Sequence, residues 1–298
     1  MQKYIGLVGG KNISQYSVAD VVWKEILRIG SKHANFLYFP IEKTSDFRKF
    51  IYDKFLHNDK FIGINVAFPW KGEAARIAHE KSLIVEKTGV ANCLYIRKKK
   101  IYADNTDGVG CFESLKAKKI KSIFVIGIGG AGMAVIYEAF QKGIDVYVWD
   151  IDRNKLRKLN RLIKTWGDGG QVYVLNPEKI LDNSRCDVII NATTVGKMWN
   201  KNKRTKRIRK SPISIDTLKK VAKKSFVVEM NYLPKETELL IQAKRNNNHT
   251  IPGLHMLVNQ AILSYAHYFS QPFPPNKTRI VFNRLNHILY DKRKFSIF

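Results

Sequence analysis

Short apolar runs alternate along this chain with longer stretches in which apolar side chains recur every three or four positions. Residues 4–8, 35–39 and 61–66 read as strands, while 18–29 and 43–57 show the helical recurrence. Strands separated by helices return parallel to one another, so the first hundred residues predict an open, mostly parallel sheet. A long helix is then expected to lead to the region of Asp107. A second unit repeats the rhythm, with strands at 122–126, 144–149, 171–175, 187–191 and 226–230. After Pro252-Gly253 an apolar helix runs from 256 to 269, followed by a proline-rich break at 271–275 and a terminal helix. The expected class is α/β with two open α/β domains, and two such sheets facing each other would make a cleft.

Between the first two strands of the second unit lies FVIGIGGAG, with Gly127, Gly129 and Gly132 in G-x-G-x-x-G spacing. A helix-like run at 133–140 follows, and the next strand stops on Asp150, 23 positions past Gly127. Strand, glycine turn, helix, strand and acid together make the dinucleotide-binding unit of a Rossmann-type domain. Gly127 allows the tight turn, Gly129 lets the backbone approach a pyrophosphate, and Gly132 lets the helix pack close to the strand. Gly130 and Ala131, just before that helix, are further candidate cofactor contacts, and the free N–H groups of the helix N-terminus suit phosphate charge. Asp150 has the position of a carboxylate that binds a ribose hydroxyl.

Composition bounds the reading. The 298 residues are enough for two cores, and 45% hydrophobic with 26% charged residues is ordinary for a globular protein. No apolar run reaches the roughly 18 residues of a membrane span. The N-terminal residues lack the apolar core of a signal peptide. Cys93, Cys111 and Cys186 match neither a metal spacing nor an even disulfide framework, so no metal site and a reducing, cytoplasmic setting are expected. The net charge of +27 is less ordinary. A polyanion partner is one reading and lysine-rich solvated faces are the other. No basic run interleaves with stacking aromatics, so no specific nucleic-acid partner is expected. The densest run, residues 197–210, either draws anionic ligands inward through Lys203, Arg204, Lys206 and Arg207 or is simply a solvated loop.

Polar motifs recur along the chain, and those at 65–71, 105–107 and 191–196 fall just past predicted strands or at element junctions, where open α/β sheets carry their ligands. In order they are NVAFPWK (65–71), TGVANCL (88–94), DNTDGVG (104–110), NATTVG (191–196), NYLPKETELL (231–240) and GLHMLVNQA (253–261). Together with the glycine turn, these segments resemble the shikimate dehydrogenase family. Its motifs N-V-T-x-P-x-K, G-A-V-N-T, N-T-D-x-x-G, N-A-T-x-x-G-M, Y-x-P-x-x-T-x-L-L and G-x-x-M-L-x-x-Q come in this sequence and at similar spacing. The resemblance runs from near the N-terminus to about residue 265.

The resemblance implies a substrate domain, residues 1–108 completed by 255–298, and an NAD(P)-binding domain, residues 109–254. It implies reversible nicotinamide-dependent oxidation of a ring hydroxyl of shikimate or a close cyclic hydroxy acid, in reverse the reduction of 3-dehydroshikimate. It assigns the chemistry to Lys71 and Asp107 and substrate contacts to Asn92, Tyr232 and Gln260. Asn191, Thr193 and Gly253 match cofactor-side positions. The physical sense is clear: a lysine ammonium held by a carboxylate can take the hydroxyl proton in oxidation, return it in reduction, and stabilise the negative oxygen between. The expected partner is a small ring hydroxy acid, with the protein a monomer or homodimer and no membrane attachment.

The departures from the family pattern bear on the substrate. The S-x-S-P that grips a carboxylate is degraded to ISQYSVAD, leaving Ser17 in an ungapped count, or Ser14 with Tyr16 at the second place when one residue is gapped. Ala67 stands where the family has threonine, and Asp104 where it has glycine. Quinate and aminoshikimate are therefore rival substrates, because buried hydroxyl pairing is where large discrimination arises. From another class, the rival is a basic nucleic-acid-binding protein on a Rossmann scaffold. NADP-dependent members follow the second strand with N-R-T, whose arginine pairs with the 2′-phosphate. Here Asp150, Ile151 and Asp152 stand there, which favours NAD over NADP, with Arg153 and Lys155 as the nearest counterweights.

Overall fold

The computed structural model describes residues 2–115, 119–175, 186–198, 210–221 and 225–291. The chain divides into two compact units, Met1–Thr106 with Val258–Phe298, and Asp107–Leu257.

The first unit holds the strands β1 (Tyr4–Gly9), β2 (Asn35–Pro40), β3 (Phe61–Val66), β4 (Glu80–Lys81), β5 (Cys93–Arg97) and β6 (Lys100–Asp104). They form one sheet in the order β2-β1-β3-β5-β6-β4. β1 is parallel to β2 and β3, whereas β5 runs antiparallel to both β3 and β6. Helices α1 (Ile13–Tyr16), α2 (Ala19–Ile29), α3 (Thr44–Lys49), α4 (Lys71–Ile77) and α5 (Leu83–Thr88) connect them. α2 forms because Val22, Trp23, Ile26, Leu27 and Ile29 recur on one face, and all five are buried. β1 is buried along nearly its whole length and lies inside the sheet. β2 at the edge alternates exposed with half-buried positions and ends on Pro40, which an edge strand tolerates.

The expected long helix before Asp107 is corrected here. The segment is instead α4, β4, α5 and a β5–β6 hairpin. The hairpin turns at Lys98 and Lys99, both with positive φ (49° and 58°). Such turns usually announce themselves with Asn-Gly or Asp-Gly; two lysines carry no such signal.

The second unit begins with α6 (Asp107–Glu113). Its strands β7 (Ser122–Ile126), β8 (Asp145–Trp149), β9 (Val172–Val174), β10 (Val188–Asn191), β11 (Phe226–Glu229) and β12 (His249–Ile251) are ordered β12-β11-β10-β7-β8-β9, every pairing parallel. β10 is buried throughout and β7 nearly so, as a parallel strand covered on both faces must be, which is why both read as continuous apolar runs. The helices of this unit are α7 (Gly130–Gln141), α8 (Arg153–Ile163), α9 (Ile215–Val221) and α10 (Glu238–Arg245). The short elements α6, α9 and β12 had no pattern long enough to predict.

Two helices close the chain, α11 (Leu254–Phe269) and α12 (Thr278–Tyr290). The residues from Val258 onward belong to the first unit. Two kinds of contact hold them there. Tyr268 of α11 stacks on Trp23 of α2 with ring centroids 5.4 Å apart. Glu25 of α2, itself buried, receives the guanidinium of Arg284 of α12 at 2.6 Å and that of Arg28 at 2.8 Å. Together the two guanidinium groups hold the Glu25 carboxyl below its ordinary pKa against the opposing effect of burial, the largest single influence.

Candidate active site

In the first unit, chemistry gathers where β3 and β6 end. The two strands run the same way, each antiparallel to β5, so the residues after them leave the sheet at one end. Lys71 is the first residue of α4, after the turn 67–70, and is half-buried. Its carbonyl accepts the Ala91 N–H at 2.9 Å, which ties the α4 start to the segment carrying Asn92.

Asn92 is 3% exposed. Its Oδ1 accepts the Thr106 N–H at 2.8 Å, and its Nδ2 donates to the Thr106 hydroxyl at 3.0 Å and to Gln260 Oε1 at 3.4 Å. Asn65 at the end of β3 donates to the Ser264 hydroxyl at 3.0 Å and accepts the Trp23 indole N–H at 3.0 Å. The structure thus brings Asn92 and Gln260 together, and adds Asn65, Thr106 and Ser264, which were not singled out as site residues. Ser264 had a signal: it lies one helical turn past Gln260. Burying so many amides and hydroxyls is tolerable only because each finds a partner.

Ser14 is exposed on α1, whereas Ser17 is buried and its hydroxyl accepts the Ala19 N–H at the start of α2. Tyr16, at the alternative serine place, belongs to a buried cluster with Leu7 and Ile13, and Ala67 packs against that cluster. In the gapped count, two departures from the family pattern therefore share one cluster.

In the second unit, Gly127 has φ +98°, and a Cβ there would lie 2.7 Å from Thr193 Cγ2. A Cβ on Gly132 would lie 2.0 Å from the Gly127 carbonyl oxygen, so α7 can start against β7 only with glycine at that place. Gly129 is different. It has ordinary φ and ψ, and nothing lies within 4 Å of where its Cβ would be. It also stands at the N-cap of α7 with no side chain capping the helix. Open space before uncapped N–H groups, at Gly130 and Ala131, fits a dinucleotide pyrophosphate.

Asp150 has a second occupation. One carboxylate oxygen accepts the Ile128 N–H at 2.7 Å and lies 3.3 Å from the Lys155 ammonium; the other accepts the Asp152 N–H at 2.8 Å. The acid therefore latches the glycine turn as well as ending β8. Asp152 caps α8 by accepting the Asn154 N–H, and Ile151 between them is 91% exposed.

Past β10, Asn191 Oδ1 accepts both the N–H and the hydroxyl of Thr193, at 3.0 and 2.7 Å, folding the turn 191–196. Its Nδ2 donates to Glu229 at the end of β11, a residue not singled out from sequence. Tyr232 is half-buried in the turn after β11. Gly253 lies against that turn, where a Cβ would be 2.4 Å from the Asn231 carbonyl oxygen. Burial, then the Asp107 charge, pushes Cys111 up to about 12, so this thiol stays neutral. The basic segment 199–209, with Lys203, Arg204, Lys206 and Arg207, lies outside the described residues. Among the described residues no His/Cys/Asp/Glu group could hold a metal ion, and no helix is long and apolar enough to cross a membrane.

A Rossmann-type unit joined to a second α/β unit, with a lysine and a carboxylate following its strands, defines a two-domain nicotinamide-dependent oxidoreductase. No family model matches the chain. It is similar to the shikimate dehydrogenase (NADP(+)) of Methanosphaera stadtmanae, 31% identical over 68% of this chain and 70% of that protein. It is also 30% identical to the enzyme of the same name from Aquifex aeolicus, over 84% of this chain and 86% of that one. The solved chorismate mutase/shikimate 5-dehydrogenase fusion protein from Clostridium acetobutylicum shares its fold, with a TM-score of 0.77, 23% identity and coverage of 97% and 99% of the two chains. The chain belongs to the shikimate dehydrogenase family.

Glu229 generates a pH prediction. Burial raises its pKa to about 7, against the lowering effect of hydrogen bonds from Asn231, Asn191 and Thr237. The folded protein therefore holds a proton that the unfolded chain has released. This stabilising contribution is fully present below the ordinary value of 4.5 and is lost as pH rises through about 7. Glu229→Gln cannot ionise and escapes the loss. Thermal melts from about pH 5 to about pH 8 should show the Tm difference moving in favour of the variant as pH rises; a constant difference would contradict the assignment.

Proposed function

We propose that the protein interconverts shikimate, or a close cyclic hydroxy acid, and its ring ketone using a nicotinamide cofactor. In the reductive direction the substrate is 3-dehydroshikimate. The observation that carries this reading is Lys71 opening α4 after β3 and Asp107 opening α6 after β6, in a chain that also holds the glycine turn of a dinucleotide-binding unit. The cofactor supplies or accepts the hydride. Lys71 hands its proton to the ring oxygen during reduction and takes it back during oxidation, and its charge stabilises the oxygen while that is negative. Asp107 orients the ammonium and accepts a substrate hydroxyl. Gln260, Tyr232 and Asn92 line the hydroxylated ring, with Asn92 also holding the Thr106 turn.

The paired departures at Tyr16 and Ala67 bear on the choice among ring acids. In the gapped count, where the family presents a serine and a threonine, this chain presents Tyr16 in a buried cluster and Ala67 packed against that cluster. Steady-state rates with shikimate, quinate and aminoshikimate, each with NAD+ and NADP+, test the proposal; no turnover of any ring acid would sink it. The protein acts in the cytoplasm, a setting that suits its three buried thiols.

Lys71→Ala should lower turnover at least about a hundredfold, the lower range for a positioned acid–base group, with little change in substrate binding. Asp107→Asn should lose a similar factor, and the double variant little more, because the two act as a unit. Near-parent turnover in Lys71→Ala would remove it from the mechanism.

The preferred cofactor is NAD, although both relatives described above carry NADP(+) in their names. The arginine that would meet a 2′-phosphate is replaced by Ile151, and the flanking Asp152 is committed to capping α8. Lys155 stands against this preference, but its ammonium already faces Asp150. The ratio of kcat/KM values for the two cofactors should favour NAD+ in the parent. Ile151→Arg should raise efficiency with NADP+ by about tenfold or more, as a charge-assisted phosphate contact predicts. A parent that prefers NADP+ would show that Lys155 or Arg153 has taken over the arginine's task.

A further inference from the structure

Glu229 ends β11 with its side chain fully buried, and every contact it makes is with a donor. Oε1 accepts from the Asn231 N–H at 2.9 Å, Asn231 Nδ2 at 2.8 Å and Asn191 Nδ2 at 3.0 Å. Oε2 accepts from Asn191 Nδ2 at 2.9 Å and the Thr237 hydroxyl at 2.8 Å. These contacts set the orientation of each partner. With its amino group turned to Glu229, Asn191 must present Oδ1 to Thr193, which folds the turn 191–196. Asn231 Nδ2 also donates to the carbonyls of Thr193 and Val195, at 3.0 and 3.2 Å. Thr237 gives its one proton to Glu229 and accepts the Leu240 N–H at the start of α10. Gly253 packs on the Asn231 carbonyl. One carboxylate therefore organises three separate stretches of chain, 191–196, 231–237 and the start of α11.

A carboxylate buried among neutral groups is an expensive way to fill space. What only the carboxylate offers is acceptor capacity on both oxygens at once, and so a single possible orientation for Asn191, Asn231 and Thr237. The three stretches it orients are those that carry Asn191, Thr193, Tyr232 and Gly253. We propose that Glu229 is a positioning residue, whose carboxylate locks the turns after β10 and β11 in the geometry that receives the nicotinamide end of the cofactor. This rests on the dinucleotide reading above.

The test is calorimetric titration of the intact protein at about pH 8, above the pKa of about 7 and so with Glu229 in its carboxylate form, with NAD+ and with NADP+, in the parent, Glu229→Gln and Glu229→Asp, alongside steady-state kinetics and thermal melts. A glutamine offers one acceptor oxygen and sets an NH2 against donors. It should weaken binding of the preferred cofactor at least about tenfold and lower kcat. Glu229→Asp restores both acceptors and should recover most of the affinity. A Glu229→Gln protein that binds cofactor like the parent and differs only in Tm would overturn the proposal, leaving Glu229 a matter of stability. If Glu229→Gln gives no cooperative melt, Thr237→Val, which removes one donor, answers the same question: cofactor affinity about threefold weaker supports the proposal, and parent affinity overturns it. A parent that binds neither cofactor defeats the dinucleotide reading itself, whereas a parent that binds and a variant that binds equally defeats only the role of Glu229.

Discussion

Polar side chains buried at the carboxyl ends of parallel strands must find partners inside the protein, and this requirement shapes both sites. A backbone or side-chain donor left unpaired there costs about 1–3 kcal/mol, a large share of the stability of an ordinary domain. In the first unit the requirement is met by Asn65, Asn92, Thr106, Gln260 and Ser264, which satisfy one another across β3, the Thr106 turn and α11. In the second it is met by Glu229, Asn191, Asn231 and Thr237 across β10, β11 and α10. The consequence is rigidity: a turn whose every polar atom is committed has one arrangement, and the residues it presents are held ready for a ligand.

The two networks differ in kind. The first uses only neutral groups, whose donors and acceptors balance. The second places one acidic group among donors, so its balance depends on protonation, and burial has raised that group's pKa to about 7. Asp150 solves a related problem more cheaply. It is buried too, but its carboxylate accepts two backbone N–H groups and faces the Lys155 ammonium. The acid that ends β8 thereby also holds the glycine turn in shape.

Much of this was legible in the sequence, for identifiable reasons. Strands β3 and β7 were read to the residue because each is an apolar run between turn signals. The glycine turn was legible because its constraint is steric: Gly132 faces a carbonyl oxygen at a distance no side chain allows. The β5–β6 hairpin was not, because its left-handed turn is made by Lys98 and Lys99 and looks like one more basic run. Glu229 was passed over because a single acid at the end of VVE resembles a strand reaching solvent. Only its burial reveals otherwise. Asp150 is legible in the sequence as the residue that follows β8, but the backbone groups it accepts come from turns whose course the sequence does not specify. Asn65 and Ser264 are distant in sequence and meet only through the packing of α11 on the first unit.

The central claim is that hydride passes between a ring carbon and a nicotinamide on this chain. It is tested most directly with shikimate carrying deuterium on the carbon that bears the oxidised hydroxyl, incubated with the protein and oxidised cofactor. Mass spectrometry of the reduced cofactor should then find one deuterium per molecule formed, with 3-dehydroshikimate accumulating in equal amount. Reduced cofactor without deuterium, or no reduced cofactor with shikimate, quinate or aminoshikimate, would contradict the account.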